Sequence, residues 1–331
     1  MQVGVIGTGG MGQLHARHVS ETAGHMLAAV MDVDADRAAA AAAGHAGCGV
    51  FTDALALIND PSVEAVIIAT PDATHAPLAL ECLSAGKPVL VEKPLAPTLE
   101  DAAAVVAAEV ASGRHLIQVG FMRLYDPAHL EIRRAIDEGM IGNLLLFRGW
   151  HRNPFPVPQM TRRETLVNSA VHDFMTARWL FGAEPTTVSA VGPDASRGLD
   201  DAGLIEAVTL TFEGGGVALV EANLVAFAYE VGVEVVGDTG IATTPLPQAT
   251  IVRSNASACQ SVDRSWKTRF VPAYKAEVEQ WLAGVEAGLD PSGPSAWDGY
   301  ATLAVAIAAA QSVEDGRPVT VDLIAKPAFY A

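Results

Sequence analysis

The sequence predicts an α/β protein: an N-terminal Rossmann domain with a parallel sheet, then an α+β domain with a large, open, mostly antiparallel sheet. Three observations predict it. Short apolar runs alternate with Ala-rich helical stretches over the first 120 residues, a glycine-rich turn follows the first run, and after about residue 122 long alternating strands take over. A chain of 331 residues exceeds one average domain. Two are expected, residues 1–121 and 122–331, with the final helix free to pack back on the first.

The apolar runs are VGVI (3–6), LAAVMD (27–32), VEAVIIAT (63–70), PVLVEK (88–93) and HLIQVG (115–120). Between them lie GQLHARHVSETA, ADRAAAAAA, APLALECLSAG and LEDAAAVVAAEVASG. Runs that read as buried on both faces, separated by helices, indicate parallel strands joined by right-handed crossovers. Gly44, Gly86 and Gly113 stand where helix C-terminal caps are expected. A helical segment (127–138) then leads to the strand candidate NLLLFRGWHRN (143–153). PTTVSAVGP, IEAVTLTFEGGGVALVEANLV and YEVGVEVVGDTGIATTP alternate as strands broken by glycine turns, and NPFPVP reads as an extended loop. A helix (274–287), SAWDGY (295–300) and an Ala-rich helix close the chain, with Trp266, Trp281 and Trp297 expected to pack helices.

The net charge of −17 argues against a nucleic-acid surface, which needs a basic patch. Cys48, Cys82 and Cys259 are too few and too scattered for a disulfide framework or zinc site, and each is expected as a small buried hydrophobe. The first strand is too short for a signal peptide, and ATLAVAIAAA (301–310) is too short for a membrane span. A reduced, cytoplasmic protein without a membrane partner is expected.

VGVIGTGGMG places Gly7, Gly9 and Gly12 in GxGxxG spacing between a strand and a helix. The first glycine permits the tight turn, the second lets a pyrophosphate approach the backbone, and the third lets the helix pack on the sheet. Asp32 ends the second strand, where an acid hydrogen-bonds ribose hydroxyls and repels a 2′-phosphate. Val33 adds no cation, so NAD is favoured over NADP; Arg37 is expected on an exposed helix face. VEKP (91–94) puts Lys93 at the C-terminal edge of the sheet, where a lysine can stabilise charge on a substrate oxygen. In NSAVH (168–172), Asn168 and His172 would share one helix face, an arrangement suited to proton transfer.

GTGGMG, VEKP and NSAVHDFMTARWL, in that order, resemble the Gfo/Idh/MocA family of nicotinamide-dependent sugar and polyol oxidoreductases. VGFMRLYDP (119–127), HRNP (151–154), GPSAWDGY (293–300) and KPAFY (326–330) resemble its inositol 2-dehydrogenase branch. The resemblance implies an NAD-dependent oxidation of a secondary hydroxyl of a cyclitol, and a homotetramer or homodimer assembled through the C-terminal sheet. It implies catalytic Lys93 and His172, with Asn168 at the position of the family's aspartate, and polyol contacts at Arg123, His151, Asn153 and Tyr229. The expected cofactor-binding set is Gly7, Gly9, Gly10, Met11, Gly12, Asp32, Val33, Thr70, Pro71, His75, Glu92 and Lys93, and no metal is expected. Asn168 can accept a ring hydrogen bond but lends no charge, and Met175 replaces an acid usual in inositol dehydrogenases. Asp173 points elsewhere on a helical reading. Another sugar or polyol substrate, an NAD-dependent glycosidase and a non-catalytic NAD sensor stand as alternatives.

Overall fold

The computed structural model describes residues 1–154, 161–193, 205–244 and 251–331; the last four residues of the expected NPFPVP loop and the end of the ATTP strand lie outside them. Two compact units form, one from Met1–Met122, Tyr274–Leu303 and Ile324–Ala331, the other from Arg123–Ala273 and Ala304–Leu323.

In the first unit the chain runs β1 (Gln2–Ile6), α1 (Gly10–Glu21), β2 (Met26–Met31), α2 (Ala35–Ala42), β3 (Gly49–Phe51), α3 (Ala54–Ile58), β4 (Ala65–Ile68), α4 (His75–Ser84), β5 (Val89–Glu92), α5 (Leu99–Ser112) and β6 (Ile117–Gly120). The six strands are parallel, in the order β3-β2-β1-β4-β5-β6. The order reverses between β1 and β4, the crevice where such sheets bind ligands. β4 and β5 are buried at every position, as strands covered on both faces must be. Helix ends follow local chemistry: Thr98 caps α5 through the Asp101 amide, and Gly113 ends it at φ +65°. β3 was not expected. Its three residues, GVF, carry too little alternation to announce an edge strand, and pairing with β2 creates it.

The second unit opens with α6 (Pro127–Asp137), capped by Asp126 with Pro127 in its first turn. β7 (Leu144–Arg152), α7 (Arg162–Glu164), a π-helical turn (Thr165–Ala170) and α8 (Val171–Phe181) follow. Then come β8 (Pro185–Val191), β9 (Ile205–Phe212), β10 (Val217–Asn223), β11 (Glu230–Gly237), β12 (Ile241–Thr243) and the hairpin β13 (Ile251–Ser254) and β14 (Ser257–Gln260). The chain closes with α9 (Trp266–Glu286), α10 (Ala296–Asp315) and β15 (Val319–Thr320). The large sheet has the order β12-β11-β7-β10-β9-β8-β15, antiparallel except for the central β10–β7 pair. β9 alternates buried and open positions, so one face lies on the core and the other does not.

Two expectations change. α9 begins at Trp266, eight residues before the expected start, and carries Pro272 inside it. Of the three cysteines only Cys82 is fully buried; Cys48 is partly covered, and Cys259 is exposed because the β13–β14 hairpin covers none of its own side chains. Trp281 packs as expected, with Val278 and Leu282 of α9 against Val3, Val5, Val30, Ile67 and Leu90 of the parallel sheet.

Candidate active site

The glycine turn joins β1 to α1. Gly7 takes φ +88°, and a Cβ there would meet the Ala69 carbonyl oxygen at 2.5 Å. At Gly12 a Cβ would come 1.7 Å from the Gly7 carbonyl oxygen, so α1 can close on the turn only with glycine. Gly9 and Gly10 differ, because a Cβ at either meets nothing within 4 Å. Packing within the protein does not demand glycine there, and the open space suits a pyrophosphate drawn close to the backbone. The first turn of α1, which includes Met11, has no acidic residue and its N-cap Gly9 makes no side-chain cap, so its amides and dipole favour an anion.

Asp32 stands one residue beyond β2. Its Oδ2 accepts from the Thr8 amide and hydroxyl at 3.0 and 2.9 Å, and its Oδ1 from the Asp34 amide at 3.0 Å and from Arg37 at 2.7 Å. The Arg37 guanidinium, working against burial, holds the Asp32 carboxyl well below the usual carboxylate range, with Asp34 and Thr8 adding to it. Arg37 therefore does not simply point to solvent from α2. It is about half exposed and its charge is turned onto Asp32. Val33 beside it is 80% exposed. An ionised carboxylate fixed at this strand end fits a ribose diol and opposes a 2′-phosphate.

β5 delivers Glu92 and Lys93. Glu92 Oε1 lies 2.8 Å from His15 Nε2, and both side chains are buried. Lys93 is partly buried, and the Lys93–Pro94 peptide is cis. His75 Nδ1 lies 2.7 Å from the Pro94 carbonyl oxygen and its Nε2 2.9 Å from that of Thr70. His75 thus ties the end of β5 to the Thr70–Pro71 turn after β4. Glu92 and His75, both expected at the cofactor, hold other parts of the chain in this arrangement. Pro71 also accepts through its carbonyl from Thr74 at 2.8 Å.

In the second unit Thr161 and Glu164 form a capping box that starts α7. The chain then widens into the π-helical turn that carries Asn168 before narrowing into α8, which carries His172. π-helical turns concentrate at functional sites. Asn168 and His172 therefore lie on one continuous helical stretch, four positions apart. His172 is 6% exposed, and its carbonyl accepts from Thr176 at 2.7 Å. Met175 is buried, with Arg178 Nη1 3.2 Å from its sulfur, and Arg178 itself is paired through two nitrogens with Glu184.

Asp173 is the residue that reading the sequence undervalued. It is fully buried and pairs with Arg123 at 2.7 Å, and its other oxygen lies 3.6 Å from His151 Nδ1. Arg123 Nη2 lies 3.1 Å from the same ring nitrogen. Burial acts to raise the Asp173 carboxyl, but Arg123 and His151 more than offset it and hold it low. Burial lowers His151, which favours a neutral ring. Tyr229 stands edge-on to His151, with centroids 6.0 Å apart, and Phe270 packs edge-on against Tyr229. Asn153 follows β7, its amide donating to the Asn223 carbonyl at 2.7 Å. The structure therefore gathers Arg123, His151 and Tyr229, which are far apart in sequence, around a buried acid. Among the described residues no group of acids, histidines and cysteines could hold a metal ion.

Residues 1–121 match an oxidoreductase family's NAD-binding Rossmann fold (GFO_IDH_MocA), and residues 133–321 match the same family's C-terminal α/β domain. The chain is 43% identical over 331 residues to an inositol 2-dehydrogenase of Rubrobacter xylanophilus, covering 99% of this chain and 95% of that one. It is 40% identical to inositol 2-dehydrogenase 1 of Saccharopolyspora erythraea, covering 100% and 99%. Among solved structures, myo-inositol dehydrogenase from Lactobacillus casei in complex with NAD(H) and myo-inositol superposes with a TM-score of 0.95 at 34% identity, covering 100% of this chain and 99% of that one. With both halves matched and full-length identity at this level, the chain belongs to the Gfo/Idh/MocA family of NAD-binding oxidoreductases.

Proposed function

We propose that the protein is an NAD-dependent dehydrogenase that oxidises one secondary hydroxyl of a cyclitol, myo-inositol or a related inositol, to the ketone. The observation that carries this reading is the cluster of Arg123, His151 and Tyr229 around buried Asp173, beside the helix that bears His172. Polar side chains held rigidly by buried charge suit a substrate that is hydroxylated all round.

Bound NAD supplies the hydride acceptor. Gly7 to Gly12 and the start of α1 would hold its pyrophosphate, and Asp32 its adenosine ribose. Lys93, charged, orients the carbinol oxygen and stabilises its alkoxide character, and neutral His172 takes the hydroxyl proton. Asn168 orients the ring by hydrogen bonding and adds no charge. Met175 offers a hydrophobe where an acid would meet a hydroxyl, which favours an inositol isomer or a polyol with fewer hydroxyls. The protein acts in the cytoplasm as a homodimer or homotetramer built on the large sheet.

The test is the initial rate of NADH formation by the purified protein across cyclitols and aldoses, with NAD and NADP compared. Turnover with NAD and an inositol is expected, reduced by about 10²-fold or more in both Lys93→Ala and His172→Ala. Retained turnover in both variants would sink the reading. Cofactor binding with glycoside cleavage and no net NADH would replace it with the glycosidase.

A further inference from the structure

One acid of the first unit has no part in the chemistry just described. Glu277 lies on α9 between Tyr274 and Trp281, and its side chain has no exposure at all. Among the described residues no side chain hydrogen-bonds either carboxyl oxygen, and the backbone amide of Phe121 is the donor that approaches it. A carboxylate in such a place would lose its water and gain almost nothing in return.

A second buried acid converges on the same backbone. Glu92 sits opposite Gly120 in the β5–β6 register, and a Cβ on Gly120 would meet Glu92 Oε2 at 3.4 Å. Gly120 precedes Phe121, so Glu92 lies against the glycine whose following peptide N–H is the one that approaches Glu277. Two carboxyls confined together out of water do not both ionise. Their surroundings decide which keeps the proton. Glu92 has His15 at 2.8 Å, with Lys93 and His75 also acting to lower it, whereas Glu277 faces the Glu92 charge. Burial, reinforced by Glu92, pushes the Glu277 carboxyl well above the usual range. Burial also acts to raise Glu92, but His15 leads the groups that bring it below its ordinary value. Further out, His18 of α1 interacts with His15, with Arg17 and Glu21 of its own helix and with Lys275 of α9.

We propose that Glu277 is a positioning residue: a neutral carboxylic acid whose O–H is directed at the Glu92 carboxylate and, with His15 on the other oxygen, fixes Glu92 and the Lys93 backbone that follows it. The proposal rests on the reading of Lys93 as the group that orients the substrate oxygen. Lys93 leaves a strand end on a flexible stem, so its reach depends on how firmly that strand end is held. A hydrogen-bonded acid behind Glu92 holds it without placing a second negative charge near the lysine.

Two measurements test this. The first is an infrared difference spectrum between the wild-type protein and Glu277→Gln near neutral pH. A protonated-carboxyl band present in the wild type and missing from the variant is expected; absence of that band would show an ionised Glu277 and overturn the proposal. The second is steady-state kinetics with NAD and an inositol. Glu277→Leu, similar in size but without a donor, should lower kcat by about 10- to 100-fold, the loss of one hydrogen bond to a charged acceptor, with a much smaller change in KM for NAD. Glu277→Gln keeps a neutral donor and should recover most of that loss. A Leu variant with unaltered kcat overturns the proposal. Should the Leu variant fail to fold, the Gln variant and the infrared band still decide it. Activity surviving in Lys93→Ala would instead remove the reading of Lys93 while leaving the infrared result standing, so the two failures are distinguishable.

Discussion

Asp173 and Arg123 form an ion pair in which neither side chain touches solvent. Such a pair contributes little compared with a hydrophobic replacement, yet removing one partner strands a buried charge. Asp173→Asn keeps the volume and deletes the charge, leaving Arg123 opposite a neutral amide with His151 close by. The expected loss is about 3–5 kcal/mol of stability, read as a lower urea midpoint with an unchanged slope. A variant as stable as the wild type would mean that Arg123 finds another acceptor. Arg123 has no exposure, and its tightest partner is Asp173 rather than any open surface.

Elements differ in how far they could be read from the chain. The Rossmann strands were legible because each is a short apolar run bounded by turn residues, and the Gly7 turn because its spacing has a steric cause at Gly7 and Gly12. Lys93 and His172 were legible as motif residues at an expected strand end and helix. The Arg123–Asp173 pair was not, since its members are 50 residues apart and only tertiary folding brings them together. The π-helical turn was not legible either, because i→i+5 bonding leaves no separate hydrophobic period in six residues. β9 carries a similar surprise: Glu206 occupies a core-facing position in a strand otherwise read as apolar on that face. It pairs with Arg162 at 2.8 Å, yet burial pushes its carboxyl up to about 7, Arg162 offsetting only part of this. A carboxyl raised in the folded state from its ordinary 4.5 contributes stability that is complete below that value and is lost as pH rises toward about 7. Stability should therefore fall between about pH 5 and about pH 8 by an amount that Glu206→Gln removes. Urea midpoints of both proteins across that range check it; an identical slope in the variant would exclude Glu206 as the source.

For the molecule as a whole, 38 acidic against 21 basic residues leave each chain at −17, so copies repel one another at long range. The outer face of the seven-stranded sheet is an exception to that field. Arg148 pairs with Glu234 across β7 and β11, and Arg152 joins Glu221 at 2.7 Å and Glu230 at 3.1 Å, so its charges are largely balanced in place. Between them Leu219 is 40% exposed, and Trp150 lies so closely over Gly232 that a Cβ there would meet its ring at 2.1 Å. A charge-balanced face of a seven-stranded sheet with apolar side chains between its ion pairs is suited to a second copy of itself, related by a twofold axis. Light scattering should give the mass of two or four chains, and association should tighten as salt screens the net charge. Leu219→Glu puts an unpaired acid at the centre of the face and should yield single chains with the fold intact by circular dichroism. A wild-type protein that scatters as one chain at all salt concentrations would refute assembly, and an unchanged oligomer in Leu219→Glu would move the interface off this face.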